Sequence, residues 1–341
     1  MPCPMNLLLV LGAGASRNLG KGQPMPLMPD WSNALCEALE QAETGLAGAC
    51  GLEPGMDGPT FETNLGLLLR WQSVRHLEQR FEGLGGQRPG GVLSGVRDAR
   101  ANIQRRMEAV MKVINSTLYE QFGQLQIDYD LAAAAYSQIL AETDECRLVV
   151  ATTNYDRAAE SALHMAGRNT NTGFAGKPHM TPALDPNGMM DDLAAEIPVI
   201  HLHGAVGWYE LEGVVSDHYG DRPYNPTLGS PVVLYPDPDK DPTSDALVQQ
   251  LWDQFAKAIE ISDLILVIGH SLHDPALVDA LKSAMANGTR VVVSYLEGED
   301  GEQVDRQLPD ARVVRMRFGP TIESDTAIRD LVKKHAGQPA D

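Results

Sequence analysis

Cysteine is scarce in this chain of 341 residues: only Cys3, Cys36, Cys50 and Cys146 occur. None forms a C-x-x-C pair, so no zinc ribbon is readable, and the expectation is of reduced, scattered thiols in a cytoplasmic protein. Positive charge is also scarce. Lys and Arg number 27 against 46 Asp and Glu, a formal net charge of −19. That balance argues against a broad nucleic-acid-binding face, but leaves room for a local basic site or an anionic small ligand. No apolar stretch reaches the length of a membrane span. The apolar N-terminal run has no Lys or Arg before it, so a strand and turn explain it better than a signal peptide.

The run itself is Leu7–Ser16, LLLVLGAGAS. Five consecutive apolar residues, Leu7–Leu11, suit a central parallel strand covered on both faces. Gly12 and Gly14 permit a sharp turn and a close approach of backbone to ligand, and the N–H groups that follow are expected to face a phosphate. The dinucleotide fingerprint G-x-G-x-x-G is met only in part, because Arg17 stands at its third glycine. By itself the stretch fits a phosphate loop or a tight structural turn.

Further along, prolines 24, 26 and 29 keep residues 20–29 non-helical, and Asp30 or Ser32 caps the next helix. Trp31 suits either a hydrophobic staple or a ligand contact. Helical patterns cover 60–81, 96–123 and 125–142, so that residues 44–145 read as a helical insertion within a single domain spanning 1–341. Strand patterns then cover 147–152, 197–203, 231–235, 264–269, 290–295 and 312–318, with helices expected at 158–166, 244–261 and 275–287. Alternating strand and helix predicts an α/β fold, a doubly wound, mostly parallel Rossmann-like sheet.

Three places can carry chemistry. Asn154, Tyr155 and Asp156 follow a strand end, where ligands bind in open α/β sheets, although Asn154 or Asp156 also suits a helix cap. His201 and His203 stand two apart on a strand and so share a face; H-x-H can ligate a metal, but no third ligand is in view and none is expected. The stretch Gly269–His273, GHSLH, approaches the G-x-S-x-G elbow of serine hydrolases but ends in histidine, and only His335 lies far beyond it. Glu297, after the strand VVVSYLE, suits a ribose hydroxyl or a solvated turn.

GAGAS, ATTNYD and HLHG, in that order, resemble the sirtuin-type SIR2 family, and the resemblance spans residue 7 to about 317. It implies a SIR2/DHS-like fold and NAD as substrate. It implies catalytic roles for Asn154 and for His203, which precedes glycine as in the family's L-H-G. It further implies cofactor contacts from Gly12, Ala13, Gly14, Ala15, Ser16, Asp30, Thr153, Asp156, Gly269 and Ser271. Classical deacylases carry Asp-Phe-Arg where this chain has Asp30-Trp31-Ser32, and a four-cysteine zinc module after L-H-G where this chain has none. LHGAVGWY with VVLYPDPDK is similar instead to bacterial stand-alone SIR2-like NAD-cleaving proteins of phage defence, among them the SIR2 partners of HerA-type ATPases. That implies an NAD+ glycohydrolase, a homo-oligomer and a possible HerA-like partner, without direct nucleic-acid or membrane binding. A protein deacylase and a non-catalytic NAD or ADP-ribose sensor are the alternatives.

Overall fold

A computed structural model describes residues 5–69, 94–123, 126–175, 183–218, 224–235, 245–295, 300–319, 323–324 and 328–336. Glu297 lies outside them, as do most of the expected helix over 60–81 and of the glycine-rich stretch after it. The chain divides into two compact units. One comprises Met1–Leu27, Phe122–Leu234 and Lys240–Asp341, and the other Met28–Gln121 with Tyr235–Asp239.

The first unit is built on an eight-stranded sheet. Its strands are β1 (Met5–Leu11), β2 (Cys146–Thr152), β3 (Thr170–Asn171), β6 (Ile197–His201), β10 (Leu264–Ile268), β11 (Arg290–Tyr295), β12 (Arg312–Arg317) and β13 (Glu323–Ser324). Their spatial order is β13-β12-β11-β10-β1-β2-β6-β3, and every pairing is parallel except β12 with β13. Strand β1 lies between β10 and β2, so the chain winds first to one side of it and later to the other. This is the doubly wound topology, with its switch point between β1 and β10.

Because side chains alternate along a strand, β1 feeds both faces. Leu7, Leu9 and Leu11 join a core with the helices α6 (Tyr129–Glu142), α7 (Ala158–Met165) and α11 (Ile328–Ala336). Leu8 and Val10 join the opposite core with α8 (Ala246–Ile261), α9 (Pro275–Ala286) and α10 (Asp300–Gln307). Aspartates start three of these helices: Asp128, Asp245 and Asp274 each accept backbone N–H groups of the first turn of α6, α8 and α9. The expected helix over 125–142 accordingly begins only after its Asp128 cap.

A second, antiparallel sheet orders its strands β4 (Phe174–Ala175), β5 (Ala183–Leu184), β8 (Val214–Asp217), β7 (Gly204–Leu211) and β9 (Ser230–Val233). The expected strand over 231–235 therefore belongs here, paired antiparallel to β7. The hairpin β7–β8 turns at Glu212 and Gly213, both at positive φ (54° and 78°), as a two-residue hairpin turn demands.

The second unit is helical: α2 (Met28–Ala42), α3 (Leu46–Ala49), α4 (58–69) and α5, which runs Ser94–Phe122 and enters the first unit at its last residue. Helix α2 begins earlier than expected. Pro29 sits in its first turn, where a missing N–H costs nothing, so neither Asp30 nor Ser32 is its cap. Trp31 is fully buried and meets Phe61 edge-on, centroids 5.5 Å apart, as a core residue of this unit.

Candidate functional site

The carboxyl ends of β10, β1, β2 and β6 lie side by side, and each runs into one of the chemically suggestive stretches. After β1, the turn at Gly12 enters the four-residue helix α1 (Ala13–Ser16). Its backbone is fastened to the loop after β10: Gly12 N–H donates to Ile268 O and Gly14 N–H to Gly269 O, both at 2.9 Å. Ala15 N–H donates back to Gly12 O. The N–H groups of Gly12, Gly14 and Ala15 are thus taken up by neighbouring backbone, where a phosphate had been expected to meet them. The close approach that these glycines permit is of loop to loop. A Cβ on Gly12 would lie 2.5 Å from Gly269 O, and one on Gly14 would lie 3.0 Å from Gly269 Cα. Ala13 is the exposed member of the turn.

After β2, the chain crosses toward this turn. Thr153 N–H donates to Leu11 O at 3.1 Å. Asn154 is buried, its own N–H bonded to Thr152 Oγ1. The Asn154 side-chain amide donates to Gly12 O and to Ser16 Oγ, each at 3.0 Å. Ser16 in turn bonds to the Asp156 carboxylate, which also accepts Ala158 N–H at the start of α7. Asp156 thus accepts the first N–H of α7 from just outside the N-cap position, which Arg157 holds. Burial raises its pKa, against the lowering effect of those two donors.

His201 and His203 do not act as a pair. The strand β6 ends at His201 and the chain turns at 202–203, so the expected common face is lost. His201 Nε2 lies 3.1 Å from Glu160 Oε2 on α7, and its ring meets Trp208 edge-on at 5.2 Å. His203 Nε2 lies 2.8 Å from Asp274 Oδ2 at the head of α9, on the other side of the sheet. The ring of Tyr155 stands 6.4 Å from that of His203, which joins the loops after β2 and β6.

Beneath these loops lies a buried ionic chain that sequence reasoning missed. Arg157 Nε bonds Glu160 Oε1 at 2.5 Å, and Arg157 Nη1 bonds Asp217 Oδ1 on β8 at 2.6 Å. Burial opposes the charge on Glu160, but His201 and Arg157 outweigh it and hold the Glu160 pKa at about 2. Burial likewise opposes the Arg157 charge, and Glu160 and Asp217 overcome it and raise its pKa. The R-x-x-E spacing was visible, but it reads equally as an exposed helix pair.

At the end of β10, Gly269 has φ +63° and a Cβ there would meet Ala15 N at 2.3 Å. Ser271 and His273 are exposed. Asp274 was also missed: before Pro275 it reads only as a helix cap. The turn after β1 therefore gathers Gly12, Ala13, Gly14, Ala15 and Ser16 with Thr153, Asn154, Asp156 and Gly269, while His203 follows β6 and Ser271 follows β10, on either side of the β1–β2 pair. Asp30 belongs to the other unit, in the first turn of α2. Among the described residues, no group of three or more His, Cys, Asp or Glu is placed to hold a metal ion. No helix among them is long and apolar enough to cross a membrane.

No curated protein is significantly similar to this chain. Solved structures similar to it include a SIR2 homologue–NAD complex, at 13% identity and a TM-score of 0.43, covering 98% of this chain and 90% of that one. A mutant SIR2 homologue with ADP-ribose has 12% identity and a TM-score of 0.40, covering 98% and 92%. A Sir2–p53 peptide–NAD+ complex has 12% identity and a TM-score of 0.38, covering 97% and 92%. Residues 148–314, from β2 to β12, match the family model of a SIR2-like domain.

Proposed function

We propose that this protein is an NAD+ glycohydrolase, cleaving NAD+ to nicotinamide and ADP-ribose. The observation that carries the reading is the placing of Asn154 and His203 after adjacent parallel strands, beside the glycine turn of β1. The SIR2-like match over 148–314 supports it.

In this reading the pyrophosphate meets the exposed Ala13 edge of the turn, with Gly269 and Ser271 toward the adenosine side. The nicotinamide ribose lies over Asn154 and His203. The C1′–N bond breaks with its electron pair passing to the nicotinamide ring, which leaves neutral and needs no general acid. The ribose passes through an oxocarbenium-like state, as in other glycoside cleavages. Water oxygen then bonds C1′, and one of its protons passes to His203 and from there to solvent. Asn154 contributes direction: bonds to Gly12 O and Ser16 Oγ fix its amide plane before substrate arrives.

The whole chain, 1–341, forms one SIR2-like domain with a helical insertion over 44–145. The reading extends to a homo-oligomer, closed by a repeated interface, to a HerA-like ATPase partner and to antiphage defence. Incubation with NAD+, with and without an acetylated peptide, tests the reaction. Nicotinamide and free ADP-ribose in both arms is the expected result. Release only with the peptide makes the protein a deacylase. Binding without release makes it a sensor.

A further inference from the structure

We propose that Asp274 is the positioning residue of His203, setting its tautomer and stabilising its protonated form. The kinetic part of this inference rests on the glycohydrolase reading above.

Both side chains are more than nine-tenths buried, and their hydrogen bond is short, 2.8 Å. Asp274 divides its oxygens between two tasks. Oδ1 accepts the N–H groups of Ala276 (3.0 Å) and Leu277 (3.3 Å) and so caps α9. Oδ2 receives the imidazole. Capping needs one oxygen, and Ser, Thr or Asn supply it as well. The second oxygen is therefore surplus to the helix. The N-terminus of α9 favours the anion in place, and an ionised carboxylate only accepts. Nε2 must then carry the hydrogen, and the ring's lone pair lies on Nδ1. When Nδ1 takes a proton from water, the positive ring faces a fixed carboxylate.

The loop bearing Asp274 is held for this geometry. Leu272 is buried at φ +57°, an uncommon conformation for a branched side chain, and its N–H donates to His270 Nδ1 at 2.9 Å. Among the described residues, the titratable groups on the segments around His203 include Tyr155 and Asp156 after β2, His201 on its own strand, His270, His273 and Asp274 between β10 and α9, and Tyr235, which follows the Leu234 whose N–H donates to His203 O. Asp274 bonds the ring through Nε2.

Asp274→Asn keeps a capping oxygen and removes the charge. Its melting temperature should stay within a few degrees of wild type. Nicotinamide release should fall about 10²–10⁴-fold in kcat with little change in KM. The His203 ring, followed by NMR and assigned with His203→Gln, should titrate about one to three units lower, because the carboxylate favours the charged ring. The acidic limb of kcat/KM should move down with it. In wild type, ring nitrogen shifts should show the Nε2–H tautomer, a reading that needs no folded variant. An Nδ1–H tautomer, or an Asp274→Asn enzyme with wild-type turnover and an unmoved ring, would overturn the proposal. Wild type without NAD+ cleavage, but with a ring that titrates lower in Asp274→Asn, would sink the glycohydrolase reading and leave the pairing standing.

Discussion

Gly14 N–H donates to Gly269 O at 2.9 Å, a bond that ties the turn after β1 to the loop after β10 across 255 residues of sequence. These two loops flank the switch point of the sheet. Their glycines serve each other first, since a Cβ on either one would strike the other's backbone.

Gly269→Ala should therefore destabilise the fold. The left-handed backbone alone costs an alanine about 1–2 kcal/mol, and forcing the Cβ against Ala15 N adds roughly 1–3 kcal/mol. Calorimetry should show a melting temperature lower by on the order of 10 °C. A variant that melts with wild type would mean that the two loops are not docked as described.

Asn154→Ala should lose both stability and turnover. Removing the amide leaves Ser16 Oγ without its donor in a buried place, at about 1–3 kcal/mol. Nicotinamide release should fall by orders of magnitude, because in the proposed reaction Asn154 guides the ribose and the incoming water. Denaturant titration and chromatographic detection of nicotinamide separate the two effects. Wild-type turnover would remove Asn154 from the site.

His203→Ala tests the proposed base directly. Its turnover should drop about 10²–10⁴-fold, with NAD+ affinity by calorimetry largely kept, since the loss falls on the transition state. Turnover near wild type would return His203 to a structural role.

Glu160 should make the protein sensitive to acid. Its carboxyl is held at about 2, below the ordinary 4.5, so the folded state binds that proton less readily than the unfolded chain. The stabilisation is fully present above pH 4.5 and is lost as pH falls toward about 2. Glu160→Gln should cost roughly 3–5 kcal/mol at neutral pH, because Arg157 keeps its charge with one partner gone. It should also flatten the acid limb of the stability curve. An unchanged acid limb by circular dichroism would show that Glu160 does not carry it.

A chelator should leave activity and melting temperature unchanged, in keeping with the separate partners of His201 and His203. Stoichiometric zinc in freshly purified protein would contradict this.

Much of the frame was legible in the sequence because it depends on local signals. The apolar run Leu7–Leu11 ending in Gly12 can hardly be anything but a buried strand and its turn, and β1 is found there. The patterns over 158–166 and 275–287 became α7 and α9 to within a residue. Alternation of strand and helix was enough for a parallel sheet, because parallel neighbours need a crossover. Local signals failed where a choice depended on what came to lie alongside. Residues 231–235 looked like another parallel strand until β7 offered an antiparallel edge. Asp274 gave no sign of its partner, because only the fold brings His203 to within 2.8 Å of it, from 71 residues away. The sequence by itself determined which residues end at the carboxyl edge of the sheet. Which of them meet there was decided by the strand order, since β10 and β2 became the two neighbours of β1. A hydrogen bond between loops has no periodicity to betray it, because its geometry exists only once those strands are in register.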